Sequence, residues 1–380
     1  MINSNEKPIW QFVALEQFSV PRQQTSKSLH NKRKTLWQWL HRTATGDNLN
    51  KPEHVYDSSS LSYLAEIIPE WDWAAAVPAM ETALETWLIT DTPPSLVQAV
   101  VGAPHSKTSD MLRHCAGKHG WHIVEAPEPE AILTGGESWL QKLPEDSIAP
   151  LVIPNLERCY LRHPDGLLLL RRFMEWLRVT RPRCVIGCDS WSWAYLSKVA
   201  QLTSICPSPL TLAPFDKVHL EQWLRKPAME AGISEIQPDF LENLAVSSRG
   251  NPGVAWAIWY YNCVSCAKAG MGVPAQKTTD TSSQESAISV FANLKLPPLP
   301  SGAGKADAFV LQTILLHGCL SLRLLPEILG LPADELAGCV RRLTAAHLIE
   351  IIEEVLQVTA LGYPSVLEFL SKEDFFLDVL

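Results

Sequence analysis

Residues 96–109 read LVQAVVGAPHSKTS. Val97, Val100 and Val101 belong to an apolar, β-branched run that breaks at Gly102, and a helical pattern begins near Ser109 and continues through Met111, Leu112 and Cys115. The order is strand, tight loop, helix, the layout in which backbone amides and a helix N-terminus cradle phosphate. The residues that make such a loop work are displaced. The pattern G-x-x-x-x-G-K-[ST] needs its second Gly so that the backbone can approach phosphate, and its Lys for charge. Counted from Gly102, those two places hold Lys107 and Thr108, with Ser109 in the hydroxyl position. If Lys107 and Thr108 are instead taken as the Lys-Thr pair, Ser106 replaces the Gly and the loop is one residue short. Either alignment leaves the nucleotide chemistry of the loop damaged.

Outward from this loop, apolar strand-like runs alternate with helical ones from residue 95 to about 223, the signature of an α/β fold with a parallel sheet and crossover helices. The predicted strands are 96–101, 121–125, 149–153, 184–187 and 210–212, with helices near 109–118, 167–180 and 193–200. The strand at 151–153 leads into Pro154, Asn155, Leu156 and Glu157, where a phosphate-loop NTPase keeps an Asp for magnesium and an adjoining Glu to polarise water. Asn155 stands in the magnesium position if Glu157 is the acid, so a metal there loses a full negative charge. A plain core strand with a polar exit fits the same residues. The next strand, CVIGCDSWSW, ends in Asp189 and Ser190, which read either as a γ-phosphate sensor at the carboxyl end of a central strand or as a structural cap. Trp191 and Trp193 read as core or interface aromatics.

After PLTLAPFDKVHLEQWL, residues 217–264 are helical in pattern and carry SSRGNPGVAWAIW. At this point residues 95–265 resemble the ATPase core of the AAA+ and STAND family: a phosphate-loop strand, an acidic strand, a sensor strand, a strand ending in L-x-P-F, and a helical lid carrying G-N-P. The resemblance implies a P-loop NTPase-like parallel sheet with a helical lid, and ATP or ADP as its nucleotide. In that family the lid motif faces the nucleotide, which makes Arg249, Gly250, Asn251 and Pro252 the implied lid contacts. Gly253 sits where many relatives carry Arg. With the Gly-Lys-Thr run broken and the magnesium Asp replaced, two elements that neutralise a transferring phosphate are gone. The implied fold survives this; turnover does not, and Glu157 is left as the one catalytic candidate.

Residues 306–380 form a second unit. A helical run AFVLQTILLHG precedes LRLLPEILGL, a turn at 330–332, ADELAGCVRRLTAAHL, and two strand-like runs, LIEIIE and VLQVTA. Helix-turn-helix followed by a β-hairpin resembles a winged helix, and ATPases of the family above often end in one. Arg341 and Arg342 on its recognition helix are the residues that would hold DNA phosphate. The unit carries eleven acidic and four basic residues, and Glu353 and Glu354 occupy the hairpin turn. Like charge opposes association with a phosphate backbone and gives no counterion release. A protein partner is therefore favoured over DNA.

The whole chain supports these assignments. Its 380 residues exceed a single typical core, and 46% hydrophobic residues with 14 Trp supply ample area to bury. A net charge of −9 opposes a generally basic nucleic-acid binder. No basic start is followed by an apolar run, and no stretch of about 18 apolar residues occurs, so the expected setting is cytoplasmic, without membrane insertion. Nine Cys scattered through apolar segments read as reduced core thiols. Cys263 and Cys266 form a C-x-x-C in a helical context with no second pair at zinc spacing, so no metal site is predicted. Lys32, Arg33 and Lys34 form a basic island that reads as a solvated helix start or a contact for acid.

The predicted organisation is a partly flexible helical N-terminal region (1–94), the degenerate core (95–216), the helical lid (217–267), a flexible linker rich in Gly, Ser, Thr and Pro (268–305), and the winged helix (306–380). The SGAGK at 301–305 has no strand before it and reads as part of the hinge. On this evidence the expected function is regulatory or scaffolding, with a protein partner met through the winged helix. A divergent DNA-binding ATPase and a plain winged-helix transcriptional regulator are the alternatives.

Overall fold

The computed structural model describes residues 8–22, 69–90, 93, 95–144, 149–231, 233, 236–268, 294–375 and 378–380. Its larger sheet has six strands: β1 (Phe12–Ala14), β2 (Val97–Gly102), β3 (His122–Ile123), β4 (Leu151–Ile153), β5 (Cys184–Asp189) and β6 (Leu210–Leu212). They lie in the order β1-β6-β2-β5-β4-β3. All pairings are parallel except β1 with β6. The five parallel strands are those the sequence predicts. β1 departs from the expected helical N-terminal region: three residues, FVA, are too few to show a period of two, and the strand exists through its pairing with β6. The basic island at 32–34 lies outside the described residues, as does the side chain of Cys266.

Strand alternation decides what packs where. On β2, Ala99 and Val101 turn to one face and Val100 to the other, and on β5 Cys184 and Ile186 oppose Val185. The Val100 face is covered by α1 (Val77–Ile89) through Met80 and Leu84, and by α2 (Thr108–His119) through Met111, Leu112 and Cys115. The other face receives α3 (Leu168–Thr180) and α4 (Ser190–Val199). Burying each such Leu or Met is worth about 1.5–3 kcal/mol. Register then aligns Gly102 with Asp189 at the carboxyl edge.

The lid consists of α5 (Lys217–Glu230), α6 (Pro238–Ser247) and α7 (Pro252–Lys268). The C-terminal unit runs α8 (Lys305–Leu316), β7 (Leu320–Ser321), α9 (Leu325–Leu329), α10 (Ala333–Ala345), β8 (Ile349–Ile352), β9 (Val355–Val358) and α11 (Tyr363–Lys372). Its three strands form an antiparallel sheet in the order β7-β9-β8. The linker composition predicts a tethered unit, but the unit is docked. Tyr160 Oη donates to the Leu316 carbonyl at 2.6 Å, Arg162 N–H to His317 Nε2 at 3.0 Å, and Trp191 Nε1 to Tyr363 Oη at 3.0 Å. One hydrophobic cluster runs through both parts. Residues 269–293 of the linker lie outside the described residues, while Lys295 and Pro297 are hydrogen-bonded to Asn262 and Ser365. Composition reports the polarity of a connection, and the apolar faces of the elements it joins decide whether they dock.

Candidate functional site

Between the end of β2 and the start of α2 the loop doubles back through a turn in which Ser106 N–H donates to the Ala103 carbonyl at 3.0 Å. His105 and Lys107 both take left-handed backbone angles, φ 67° and 59°, at places where glycine would be unstrained. Lys107 precedes the first residue of α2, and its ammonium pairs with Glu70 and stands 3.8 Å from Asp110. The cation that a phosphate would need is thus engaged on the solvent side. Ser106 and Thr108 turn inward and share a hydrogen bond of 2.9 Å. They sit directly over Gly102, where a Cβ would come within 2.2 Å of Thr108 Oγ1. The hydroxyls of Ser106 and Thr108 line the concave side of the loop.

The sheet edge brings Gly102, Lys107, Thr108, Ser109, Glu157 and Asp189 around one cavity of about 90 Å³. Ligand pockets are usually about 300–1,000 Å³. Glu157 is buried and accepts hydrogen bonds from Asn155 Nδ2 at 2.7 Å and from the Asp189 N–H at 3.1 Å. Burial pushes its carboxyl above the usual range against those bonds. Asp189 caps α4, its Oδ1 accepting from Trp191 N–H at 2.9 Å. Burial, then the neighbouring Glu157, pushes Asp189 well above the usual range, outweighing the cap. Asn155 lies behind Glu157, with its Oδ1 taken by Arg113. Among the described residues no group of three or more His, Cys, Asp or Glu is placed to hold a metal ion. The Thr108 hydroxyl, the Asn155 oxygen and the Lys107 ammonium each have a partner within the chain.

The lid closes the loop from above. Asn251 Nδ2 donates to the Pro104 carbonyl at 2.6 Å, and its Oδ1 accepts from Gly253 N–H at 3.0 Å, opening α7. At Gly253 a Cβ would lie 2.1 Å from the His105 carbonyl oxygen, so no larger residue fits while lid and loop are in contact. His105 meets the Val358 backbone and stands edge-on to Tyr363, with ring centroids 6.1 Å apart. Burial, then Lys107, lowers its imidazole to about 4. Pro252 and Arg249 line an adjoining space that also takes in Ala103 and Ser106 of the loop and Asp378, and Arg249 donates to the Leu380 main-chain oxygen. Ser190 is wholly buried beneath the same Asp378. Sequence reasoning missed Glu70, Arg113 and His105; they come from separate segments or carry no motif, and only the folded loop brings them together.

In the C-terminal unit Arg341 is exposed. Arg342 donates to both carboxylate oxygens of the buried Asp307, at 2.9 and 3.0 Å, and so ties α10 to the start of α8.

No family model matches the chain, and no curated protein matches it. Solved structures similar to it include the Walker-type ATPase of Pyrococcus abyssi, at 12% identity over 80% of this chain and 96% of that one, TM-score 0.35. Drosophila ORC bound to DNA is similar at 11% identity over 88% and 99%, TM-score 0.34. A RuvB mutant of Thermotoga maritima is similar at 18% identity over 80% and 97%, TM-score 0.34. The strand order and the loop between β2 and α2 fix the fold; these likenesses do not. No helix among the described residues is long and apolar enough to cross a membrane.

Proposed function

We propose that this chain is a regulatory or scaffold protein built on a non-hydrolysing AAA+/STAND-type core, which engages a protein partner through a C-terminal winged helix. The observation that carries the reading is a phosphate loop whose polar groups are paired within the chain: Ser106 with Thr108, and Lys107 with Glu70. Turnover requires a cation and a metal at the transferring phosphate. Here the Lys107 ammonium is paired with Glu70 and Asn155 stands in the magnesium position, and ATP or ADP gains no more than weak binding.

The outward chemistry supports a protein partner. Ile351 and Ile352 are 43% and 52% exposed on β8, beside the acidic turn of Glu353 and Glu354. Arg342, one of two cations a DNA-binding helix would use, is committed to Asp307. Purified protein with magnesium and ATP should release phosphate no faster than a blank. Turnover near about 1 per second that disappears in Lys107→Ala overturns the reading and restores the ATPase alternative.

A further inference from the structure

The hairpin of the C-terminal unit turns through two residues, Glu353 and Glu354, between Ile352 and Val355, which pair across it. Both turn residues take left-handed backbone angles, φ 51° and 66°. A hairpin turn with both angles positive follows the twist of its strands and is usually built from Asn-Gly or Asp-Gly, because a longer side chain is strained there. The chain thus holds two exposed carboxylates at the tip against local strain. Arg323 pairs with Glu354 at 2.6 Å and Gln357 Nε2 donates to Glu350 at 2.7 Å, while Glu353 has no ion pair among the described residues.

The strand that carries this turn is the outer one of its sheet, so one backbone edge of β8 stays open. Thr359 N–H donates to the Leu348 carbonyl at 2.9 Å, and hydrogen-bonded pairs alternate along an antiparallel ladder. Glu350 and Ile352 therefore bond to β9, and Ile351 turns its N–H and carbonyl outward. Ile349 has the same orientation but is buried, which leaves the tip as the accessible part of the edge. Ile351 and Ile352 are exposed there, on opposite faces of the strand. Edges that stay single are commonly blunted by Lys, Pro or a bulge, and IEII has none of these.

We propose that the outer edge of β8 is a docking site for an extended segment of a partner protein in which basic and apolar residues alternate, added as a further strand. An apolar residue opposite Ile351 puts its neighbours opposite Glu350 and Ile352, where Lys or Arg meets Glu350 and reaches Glu353. A second copy of this chain is the competing occupant, but it would bring Glu350, Glu353 and Glu354 of both copies onto one ladder, and like charges across strands oppose pairing. The inference rests on the proposed reading of a protein partner at this unit. Phosphate release tests the core half of that reading and peptide binding tests the edge, so either can fail alone.

The probe is fluorescein-labelled Lys-Val-Lys-Val-Lys-Val, titrated with the full chain and followed by anisotropy. It should bind at least tenfold more tightly than Glu-Val-Glu-Val-Glu-Val, and at least tenfold more tightly than the basic peptide N-methylated at its valines, whose N–H groups face Ile351 in this register. The variant carrying Glu353→Asn and Glu354→Gly relieves the turn, so it should melt no lower than wild type while binding the basic peptide at least fivefold more weakly. Equal affinity for the basic and acidic peptides overturns the proposal, as does undiminished binding of the N-methylated peptide or by the folded turn variant. A dimer in sedimentation equilibrium that Ile351→Lys abolishes also overturns it, because the edge would then belong to a second copy. If the turn variant is unfolded, the peptide comparisons decide alone, since they need only wild type.

Discussion

At the carboxyl edge of the large sheet polar groups face inward, whereas at the hairpin tip of the C-terminal unit apolar groups face outward. Glu157 is 6% exposed and meets Asn155 and the Asp189 backbone, and Ser106 meets Thr108. Ile352, by contrast, stands in solvent on an edge strand. Burying polar groups costs free energy unless they are paired, and exposing apolar ones costs it unless something covers them. The first region has met its cost internally, by pairing within the chain. The second leaves its cost open, and a surface of that kind is where a partner gains most. On the proposed function, residues that resemble a catalytic site work as structural bonds, and the free surface chemistry lies elsewhere.

The sharpest way to break this comparison is to restore the residue that many relatives of the resembled family carry in the lid. Gly253→Arg places a side chain where the first added carbon already lies 2.1 Å from the His105 carbonyl oxygen. Overpacking in a tight interior costs about 1–3 kcal/mol, and occasionally more. Against rigid backbone the loss should lie at the upper end, about 3 kcal/mol, and urea unfolding should record it. A variant as stable as wild type would mean that lid and loop separate readily, and the edge would then be an open site.

Protons probe the same sealing at smaller cost. His105 and His317 are both lowered to about 4 by burial, against an ordinary value of 6.5. Above pH 6.5 both states are neutral and the stability is fully present; between pH 6.5 and 4 the unfolded chain takes up protons that the folded chain refuses, so stability falls. The carboxyls of Glu157 and Asp189 are raised, chiefly by desolvation, and act in the opposite sense, losing stability as pH rises through their folded values. His317 donates through Nδ1 to the Thr313 carbonyl at 2.7 Å, and Asn can place a donor near that point. His317→Asn should therefore lose about 2 kcal/mol less than wild type between pH 7 and 4.5, whatever its constant cost. An identical acid limb in both proteins would show that water already reaches this interface.

How far the sequence foretold this arrangement follows from the range of the forces involved. Parallel strands declare themselves locally, because each is an apolar run ended by a turn residue, and all five were legible that way. The C-terminal helices and the hairpin were legible as elements for the same reason, through Gly330 and the Glu353–Glu354 turn. β1 was not, since three residues carry no period. The site was half legible: Gly102, Thr108, Glu157 and Asp189 do converge. What occupies the loop was not legible, because Glu70 reaches Lys107 from another segment and Leu380 reaches Arg249 across 131 positions of chain. Docking of the C-terminal unit was also hidden, for Tyr160 and Leu316 are ordinary core residues until they meet.

The smallest effect separates the two arginines of α10, and it bears on whether the outward-facing region reads protein or DNA. Arg342 pairs with Asp307, which is 1% exposed and also accepts a hydrogen bond from the Gly304 N–H at 2.9 Å. Removing the guanidinium leaves a buried carboxylate with a single donor, and because Arg342 itself is partly in solvent the cost is discounted to about 1–2 kcal/mol. Arg341 is exposed, and Arg341→Ala should stay within about 0.5 kcal/mol of wild type. Thermal or urea unfolding of the two variants measures the gap directly. If instead Arg341→Ala keeps its stability but abolishes retention of duplex DNA at micromolar protein, the acidic surround has been outweighed. The surface around Ile351 and Ile352 would then serve a nucleic-acid reader, and the contrast between a sealed edge and a protein-docking tip would fail at its second half.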